Sequence, residues 1–275
     1  MGDDQQRQAA VGANYDVGAY EHEIRRLEQS SPVEREVTER VLARLVPAGA
    51  VVVDVGVGAG HYDESLARRG CRLHLVDVSR RLLDTALERL RACGLSDAVL
   101  DATLASATGL GHLPAESCDV VLLLGPLYHL QTLAERRRAV AEARRVLRPG
   151  GVVLAAAINR FAGVRMEYLV WPERGAERHG LLARFLEDGL VGPEESEDLG
   201  FGHFTSAGEF RGLFSDAFRE LLCAGVESFT GCSQERFVAL PDGDREAWLD
   251  LVERTMEAPE ALGCCEHLLY AGRKR

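Results

Sequence analysis

Residues 51–60, Val-Val-Val-Asp-Val-Gly-Val-Gly-Ala-Gly, constrain the fold of this chain more than any other segment. The apolar run at 51–55 is typical of a strand that is buried on both faces of a parallel sheet. Three glycines follow at alternate positions: Gly56, Gly58 and Gly60. Glycines here allow a sharp turn and let a ligand approach bare backbone. Because residues 61–69 then predict a helix that ends at Gly70, the segment indicates a nucleotide-binding corner.

Composition narrows the class of protein. The 275 residues are 46% hydrophobic, which is enough to fill the core of one large α/β domain. A net charge of −11 argues against nucleic acid as a partner, because such binding needs a basic surface. Lys274 is the only lysine, which argues against Schiff-base chemistry. The chain has neither a run of about eighteen apolar residues nor a leader-like start, so we expect a cytoplasmic protein that does not bind membranes.

Strand and helix patterns alternate after the corner. Further strands are predicted at 73–77, near 98–104, at 119–124, at 152–158, near 225–231 and near 267–273. Ser79 and Ser206 precede apolar helical stripes and are predicted to cap the helices between these strands. This alternation predicts a doubly wound α/β fold with a parallel sheet.

The domain plan follows from the same pass along the chain. Residues 1–30 are interpreted as an N-terminal tail, frayed over 1–13, followed by a lid helix. Residues 31–275 are interpreted as one domain. Within it, the charged and glycine-punctuated stretch at about 160–210 is interpreted as an insertion that covers the site.

Two acidic residues identify the ligand of the corner. The third glycine comes one place too early for the dinucleotide fingerprint G-x-G-x-x-G. Asp54 precedes the glycines, where a carboxylate would repel a diphosphate but attract an ammonium group. Asp77 ends the next predicted strand, a position from which a carboxylate accepts hydrogen bonds from ribose hydroxyls. These residues predict an adenosine ligand without phosphate and with a cationic group, as in S-adenosylmethionine. The alternative is that Asp54 only caps the turn.

With these motifs the chain resembles the class I S-adenosylmethionine-dependent methyltransferases. The resemblance also covers the Ser106-Ala107-Thr108 turn, the Gly-Pro-Leu-Tyr-His-Leu run at 125–130 and the Arg-Pro-Gly-Gly run at 148–151. It is nearest to the small-molecule branch similar to ubiquinone/menaquinone-biosynthesis methyltransferases. It implies a Rossmann-like doubly wound, mostly parallel seven-stranded sheet with an antiparallel C-terminal edge strand.

The resemblance also implies the cofactor, S-adenosylmethionine, and its product, S-adenosylhomocysteine. The residues expected to bind it are Tyr15, Asp54, Gly56, Gly58, Gly60, Asp77, Val78, Ser106, Ala107, Thr108, Leu124 and Gly125. Asp54 would orient the amino group and Asp77 the ribose. Ser106 stands where many relatives carry Asp, which weakens the expected contact to the adenine. Tyr15 is expected to contact the methionine carboxylate or the acceptor, with simple burial as the alternative.

Methyl transfer requires the nucleophile, the methyl carbon and the sulfur to be collinear, and some acceptors require a base. His129 is the best candidate base, because an unperturbed histidine titrates near neutral pH. The alternative is that His129 only packs against the cofactor or caps a helix. Tyr128 and Tyr20 are the other catalytic candidates. No metal is expected, since the remaining candidate ligands are too dispersed: His61, His112, His179 and His203.

Three functions stay open at this point. The first is methylation of a small molecule, a bacterial secondary or specialised metabolite, by a monomer or homodimer. The second is a binding, structural or rearrangement role without methyl transfer. The third is methylation of protein or RNA. Aromatic residues and five arginines in the 160–210 insertion suggest a partly apolar acceptor with an anionic group: Arg160, Arg165, Arg174, Arg178 and Arg184.

Overall fold

A computed structural model describes residues 3–196, 199–231 and 234–275, apart from the side chains of Asp3 and Glu235. The strands are β1 (Val51–Val55), β2 (Arg72–Asp77), β3 (Val99–Leu104), β4 (Cys118–Leu123), β5 (Leu147–Ile158), β6 (Leu190–Val191), β7 (Gly202–His203), β8 (Phe218–Gly225) and β9 (His267–Lys274). The α-helices are α1 (Asp3–Val17), α2 (Tyr20–Arg25), α3 (Pro32–Leu45), α4 (Asp63–Arg68), α5 (Arg80–Ala92), α6 (Leu133–Val146), α7 (Arg160–Val170), α8 (Gly175–Asp188), α9 (Ala207–Phe214), α10 (Gln234–Val238), α11 (Asp242–Thr255) and α12 (Pro259–Cys264).

Seven strands form one sheet in the order β3-β2-β1-β4-β5-β9-β8. Strands β1 to β5 pair in parallel, and β9 runs antiparallel to both of its neighbours. The predicted doubly wound fold class is therefore confirmed. The antiparallel C-terminal strand lies between β5 and β8, so β8 forms the outer edge. The carboxyl ends of β1, β2, β4 and β5 meet at one edge, where ligands bind in such sheets.

The core lies on both faces of the sheet because successive strand residues point to opposite sides. In β1, Val52 belongs to the cluster under α3, α5 and α11, whereas Val53 belongs to the cluster under α6 and α9. Both valines are fully buried, as are Val37 of α3 and Phe214 of α9. This explains why 51–55 are valines apart from Asp54.

The predicted capping residues are at the helix starts. The Ser79 hydroxyl accepts a hydrogen bond from the Leu82 amide, and Ser206 forms a reciprocal capping box with Glu209. The strand predicted near 225–231 is wrong, because the strand in this region, β8, ends at Gly225. Ser228 has a φ of 47°, which an extended strand does not allow, and residues 228–230 form a 3₁₀ turn.

The N-terminal residues are more ordered than expected. The predicted fraying over 1–13 is wrong for residues 3–13, which belong to α1, while residues 1–2 lie outside the described chain. Tertiary contacts hold this polar helix in place. Gln8 accepts a hydrogen bond from Ser106, and Asp16 accepts one from Ser79. Sequence periodicity does not report such contacts, because their partners lie far along the chain.

The 160–210 stretch contains more secondary structure than its weak periodicity suggested. Helices α7 and α8 pack against each other, and β6 pairs with β7 in a separate two-stranded sheet. The helical pattern of α7 is obscured because Tyr168, Leu169 and Val170 are apolar yet exposed. Among the described residues, no helix is both long and apolar enough to cross a membrane.

Candidate functional site

The glycine corner has the backbone geometry that its sequence predicts. Gly56, Gly58 and Gly60 have φ angles of +75°, +55° and +71°, a region that residues with side chains rarely adopt. A Cβ atom on Gly56 would lie 2.9 Å from Pro126 Cδ, and one on Gly60 would lie 2.9 Å from Ala86 Cβ. The corner is therefore a cradle whose close backbone packing only glycine permits.

Asp77 closes the cradle from the end of β2. Its two carboxylate oxygens accept hydrogen bonds from the Gly58 amide at 3.0 Å and from the Ser79 amide at 2.8 Å. Burial raises the pKa of Asp77 to about 6, although these amide hydrogen bonds favour its charged form. Glu23 of α2 approaches the same loop, with Oε1 3.1 Å from the position of a Gly58 Cβ. The cradle is thus bordered by two carboxylates.

Asp54 lies deeper, within β1, and is 4% exposed. Burial, together with the charges of Asp63 and Asp77, raises its pKa well above the usual range for a carboxyl. The pKa of Asp63 is likewise raised by burial, to about 7. A cationic ligand group above the corner would stabilise the ionised form of these acids. Asp54 is not among the residues that line the cavity described next, so its contact with an ammonium group stays a prediction.

These residues border a small cavity of about 60 Å³ beneath α1. Its lining contains Gln8, Val11, Tyr15, Glu23, Val55, Gly56, Gly58, Asp77, Val78, Leu82, Ala105, Ala107, Gly125, Pro126, Tyr128 and His129. Nine of the predicted site residues thus meet here: Tyr15, Gly56, Gly58, Asp77, Val78, Ala107, Gly125, Tyr128 and His129. Within the described ranges, the lining has no lysine or arginine. An acidic cavity of this kind suits a cationic ligand and disfavours a diphosphate.

The other predicted site residues lie elsewhere. Ser106 and Thr108 line an adjoining cavity beside α1, whereas Asp54, Gly60 and Leu124 lie outside the lining of the 60 Å³ cavity. Tyr20 also lies outside it, because its hydroxyl bonds to Thr85 and the Arg81 guanidinium stacks 3.5 Å above its ring. The structure thus gives no support to the prediction of Tyr20 as a catalytic residue, because its ring and its hydroxyl are both engaged by α5.

His129 has protein partners at both ring nitrogens. Nδ1 lies 3.0 Å from the Phe201 carbonyl oxygen, and Nε2 lies 3.0 Å from the Tyr15 hydroxyl. A carbonyl oxygen only accepts, so Nδ1 donates to it and Nε2 accepts from Tyr15. Burial lowers the pKa of His129 to about 4, which keeps the ring neutral. This geometry favours the alternative that His129 packs at the cofactor site rather than acting as the base, and its contact with Tyr15 is an addition from the structure.

Seven lining residues were not predicted as site residues: Gln8, Val11, Glu23, Val55, Leu82, Ala105 and Pro126. Gln8 and Val11 reach the cavity through the docking of α1, and no local pattern predicts that contact. Pro126 and Val55 lie within runs that the sequence analysis quoted, at 125–130 and 51–60, and those runs were the available signal.

A second and larger cavity, of about 510 Å³, lies beside the end of β5. Its wall is mostly apolar and includes Ile158, Met166, Val170, Trp171, Leu181, Leu182, Phe185, Val191 and Phe204. Its volume falls within the range of about 300–1,000 Å³ that is usual for small-molecule sites. Met166, Val170 and Trp171 are also exposed, so the cavity opens to the surface through an apolar rim.

The five arginines behind the prediction of an anionic acceptor are all ion-paired. Their carboxylate partners are Glu209 for Arg160, Glu266 for Arg165, Glu177 for Arg174, Glu167 for Arg178 and Glu195 for Arg184. Ion pairing satisfies part of their charge, yet Nε and Nη2 of Arg165 and Nε of Arg178 are buried without a hydrogen-bond partner among the described residues. The expectation of an anionic group on the acceptor stays a prediction, and the apolar wall agrees with the expectation of a partly apolar acceptor.

A cluster of charged side chains joins the two cavities. Arg26 lies 3.6 Å from Glu23, which borders the first cavity, and 2.5 Å from Glu34 of α3. His267, which borders the second cavity, lies 3.3 Å from Glu34 and 2.6 Å from Glu227. The prediction that no metal binds was based on His61, His112, His179 and His203, which are not part of this cluster. Among the described residues, the group with metal-ligand spacing is Glu34, Glu227 and His267, whose ligand atoms lie within 4.8 Å of one another.

Comparison with known proteins identifies the class. Residues 53–155 match the family described as methyltransferase domain. The ubiquinone biosynthesis O-methyltransferase of Methylococcus capsulatus is 33% identical over 198 residues, which is 65% of this chain and 80% of that protein. The chain spans only about half the length of two further ubiquinone biosynthesis O-methyltransferases. This chain belongs to the class I S-adenosylmethionine-dependent methyltransferases, as its corner, Asp77 and sheet order indicate.

Solved structures share the fold at low identity. The 1,6-didemethyltoxoflavin-N1-methyltransferase of Burkholderia thailandensis has a TM-score of 0.62 and 15% identity, covering 100% of this chain and 91% of that one. The [4+2]-cyclase SpnF has a TM-score of 0.58 and 18% identity, covering 97% of this chain and 96% of that one. The cofactor of the class is S-adenosylmethionine, and it suits the glycine cradle and acidic lining found here.

Proposed function

We propose that this protein transfers a methyl group from S-adenosylmethionine to an oxygen of a small, partly apolar acceptor. The observation that carries the proposal is the presence of two unlike cavities that a run of charged side chains connects, from Glu23 through Arg26 and Glu34 to His267. The first is acidic and lined by the glycine corner, and the second is apolar and open to the surface. The name of the Methylococcus relative supports O-methylation of a small molecule.

In this proposal each part of the corner has one task. Gly56 and Gly58 let the cofactor lie against the backbone, Asp77 accepts from the ribose hydroxyls, and Val78 packs on the adenine. Asp54 balances the charge of the amino group. The cofactor supplies a methyl group on a positively charged sulfur. Asp77 and Glu23 favour that positive charge in the first cavity, and the apolar wall of the second cavity would hold the acceptor.

The proposal includes the chemical class of the acceptor. A bacterial specialised metabolite, methylated in the cytoplasm, suits an apolar cavity of about 510 Å³ with an exposed apolar rim. A protein or RNA acceptor is less suited, because the chain carries a net charge of −11.

A cofactor-binding role without methyl transfer is the second candidate. It is favoured by the likeness to SpnF, a protein that is described as a cyclase although it has the same fold. The two candidates make different use of the second cavity. A transferase must hold an acceptor oxygen in line with the methyl carbon, whereas a cyclase needs only to fold its substrate.

Incubation with methyl-labelled S-adenosylmethionine tests the proposal. The acceptor panel contains 4-hexylcatechol and 4-nitrocatechol as phenols, 4-hexylaniline as an amine and 2-hydroxyhexanoate as an anionic alcohol. We expect label in the catechols, and less or none in the other two compounds. Tight binding of S-adenosylhomocysteine in a calorimeter with no labelled product from any acceptor would favour the second candidate. Labelling of the hydroxy acid alone would favour the anionic acceptor.

A further inference from the structure

A third cavity, of about 440 Å³, is lined by residues of α6, α8, α9 and β7. Its lining shares no residue with the two cavities described above. Part of its wall is apolar and buried, at Leu127, Ala157 and Phe210. The lining also contains four basic residues: Arg136, Arg137, Arg160 and His203. The cavity thus combines apolar surface with basic groups, and it lies apart from the sites that the proposed function uses.

His203 brings a buried polar ring to this wall. It lies in β7 and is 8% exposed. Its backbone pairs with Leu190, but its imidazole takes part in none of the hydrogen bonds or ion pairs that the described residues form. A polar group that is buried without a hydrogen-bond partner costs free energy. A ligand that hydrogen-bonds to the ring would remove this cost.

Arg136, in the first turn of α6, is a cation without a carboxylate partner among the described residues. Its Nη1 donates to the carbonyl oxygens of Leu130 at 2.7 Å and Gln131 at 2.8 Å. Within the described ranges, its Nε and Nη2 make no hydrogen bond, and burial lowers its pKa. These two nitrogens form one edge of the guanidinium, and such an edge matches the two oxygens of a carboxylate.

The acids of this wall leave the charge of the α6 arginines without a counter-ion. Glu209 pairs with Arg160 at 2.6 Å. Asp188 accepts a hydrogen bond from the Leu190 amide at 2.8 Å. Glu187 is exposed, so solvent screens its charge. The sheltered part of the cavity therefore has room for one negative charge.

We propose that this third cavity binds a small carboxylate with an apolar body, such as an arylacetate. The carboxylate accepts hydrogen bonds from Nε and Nη2 of Arg136 and lies beside the imidazole of His203. The exposed guanidinium of Arg137 adds positive charge at the rim, and the apolar body packs on Leu127 and Phe210. This binding site is additional to methyl transfer and does not depend on it.

The protonation of His203 should be linked to binding. Burial and the charges of Arg136 and Arg160 lower the pKa of His203 to about 4, while Glu209 and Asp188 oppose them. A carboxylate beside the ring offsets the two arginines and raises this pKa. Binding should therefore take up a proton, and affinity should increase as the pH falls from 7 to 5.5.

Isothermal titration calorimetry of the full chain with phenylacetate tests the site. We expect a Kd of about 1 mM or tighter at pH 5.5. Neutral phenylacetamide lacks the charge and inorganic phosphate lacks the apolar body, so each should bind at least about tenfold more weakly. Titration in two carboxylate-free buffers with different heats of ionisation measures the proton uptake. Saturation with S-adenosylhomocysteine should leave the affinity for phenylacetate within about twofold, because the cavities share no lining residue.

Variants locate the binding site. Arg136→Gln should weaken phenylacetate binding about 10- to 100-fold, since a hydrogen bond to a charged group contributes about 1.5–3 kcal/mol. His203→Gln should remove the proton uptake. Arg144→Gln is the matched control, because Arg144 is exposed near the other end of α6, and it should bind as wild type does. If Arg136→Gln does not fold, the exposed Arg137→Gln decides the question, with an expected loss of about threefold.

Several results would overturn the inference. Phenylacetamide that binds as tightly as phenylacetate would show an apolar cavity without an anion site. Phosphate that binds more tightly than phenylacetate would contradict the apolar body of the ligand. Proton uptake that persists in His203→Gln would place the titrating group elsewhere. Displacement of phenylacetate by S-adenosylhomocysteine, or transfer of methyl label to it, would assign it to the methyl-transfer site instead.

Discussion

At the scale of single residues, the glycine corner at 51–60 shows how the amino acids at a few positions identify a ligand. The three glycines have positive φ angles, and two of them have no room for a Cβ. Asp77 adds a buried carboxylate that faces the same loop. Glycine and aspartate have these roles for local reasons, since one removes a steric barrier and the other accepts hydrogen bonds. The sequence alone therefore predicts this part of the site.

Replacing Asp77 with Asn tests the assignment of the ribose site. The variant keeps the shape but loses the charge, and we expect S-adenosylhomocysteine to bind about 10- to 100-fold more weakly, since a hydrogen bond to a charged group contributes about 1.5–3 kcal/mol. Isothermal titration calorimetry measures the change. Wild-type affinity should also weaken as the pH falls below about 6, where Asp77 takes up a proton.

Asp101→Asn is the matched control, because Asp101 lies on the adjacent strand β3 and is exposed. Its affinity for S-adenosylhomocysteine should equal that of wild type. Binding to Asp77→Asn within twofold of wild type would contradict the assignment of Asp77 to the ribose.

At the scale of secondary-structure elements, α1 decides how the first cavity opens. A Cβ on Gly12 would lie 2.5 Å from the Val78 carbonyl oxygen, so α1 sits directly on the backbone that follows β2. The Tyr15–His129 and Gln8–Ser106 hydrogen bonds hold it there. The enclosed 60 Å³ is much smaller than a usual ligand site of about 300–1,000 Å³. Entry of the cofactor therefore requires α1 to shift.

Gly12→Ala should loosen this helix. We expect faster amide hydrogen exchange over residues 3–17 and a several-fold faster association of S-adenosylhomocysteine in stopped-flow measurements. The reason is that the added methyl group collides with the Val78 carbonyl, which is backbone and cannot rotate away.

Gly180→Ala in α8 is the control, since a Cβ there meets no atom within 4 Å. This variant should gain about 0.5–1 kcal/mol of stability and bind the cofactor as wild type does. Equal association rates for Gly12→Ala and wild type would show that α1 does not limit entry.

At the scale of the whole molecule, buried charge links elements that are far apart in the chain. The His267–Glu34–Glu227 cluster joins α3, the turn after β8 and β9. His203 of β7 has the opposite environment, since burial together with Arg136 and Arg160 lowers its pKa to about 4. The two histidines should therefore affect folding stability in different pH ranges and with opposite signs.

His267 has a folded-state pKa of about 9, above the usual 6.5. Its stabilisation of about 3 kcal/mol is thus complete below pH 6.5 and is lost as the pH rises through 9. For His203 the folded state rejects a proton, so stability is lost as the pH falls from 6.5 towards 4. Urea unfolding of wild type, His267→Gln and His203→Gln at pH 5, 7 and 9.5 measures both effects. If the free energy of unfolding differs between wild type and His267→Gln by the same amount at all three pH values, the charge cluster is not the cause of that difference.

The sequence by itself determined the parallel strands β1 to β5, the cofactor corner and the class of enzyme. These features depend on neighbours along the chain: strand and helix periodicity, caps such as Ser79, and glycines next to Asp54. The lid contacts, the paired arginines and the histidine that faces the second cavity were decided by the tertiary structure alone. The physical reason is that packing joins residues such as Glu34, Glu227 and His267 from distant parts of the chain, and their charges acquire meaning only in contact.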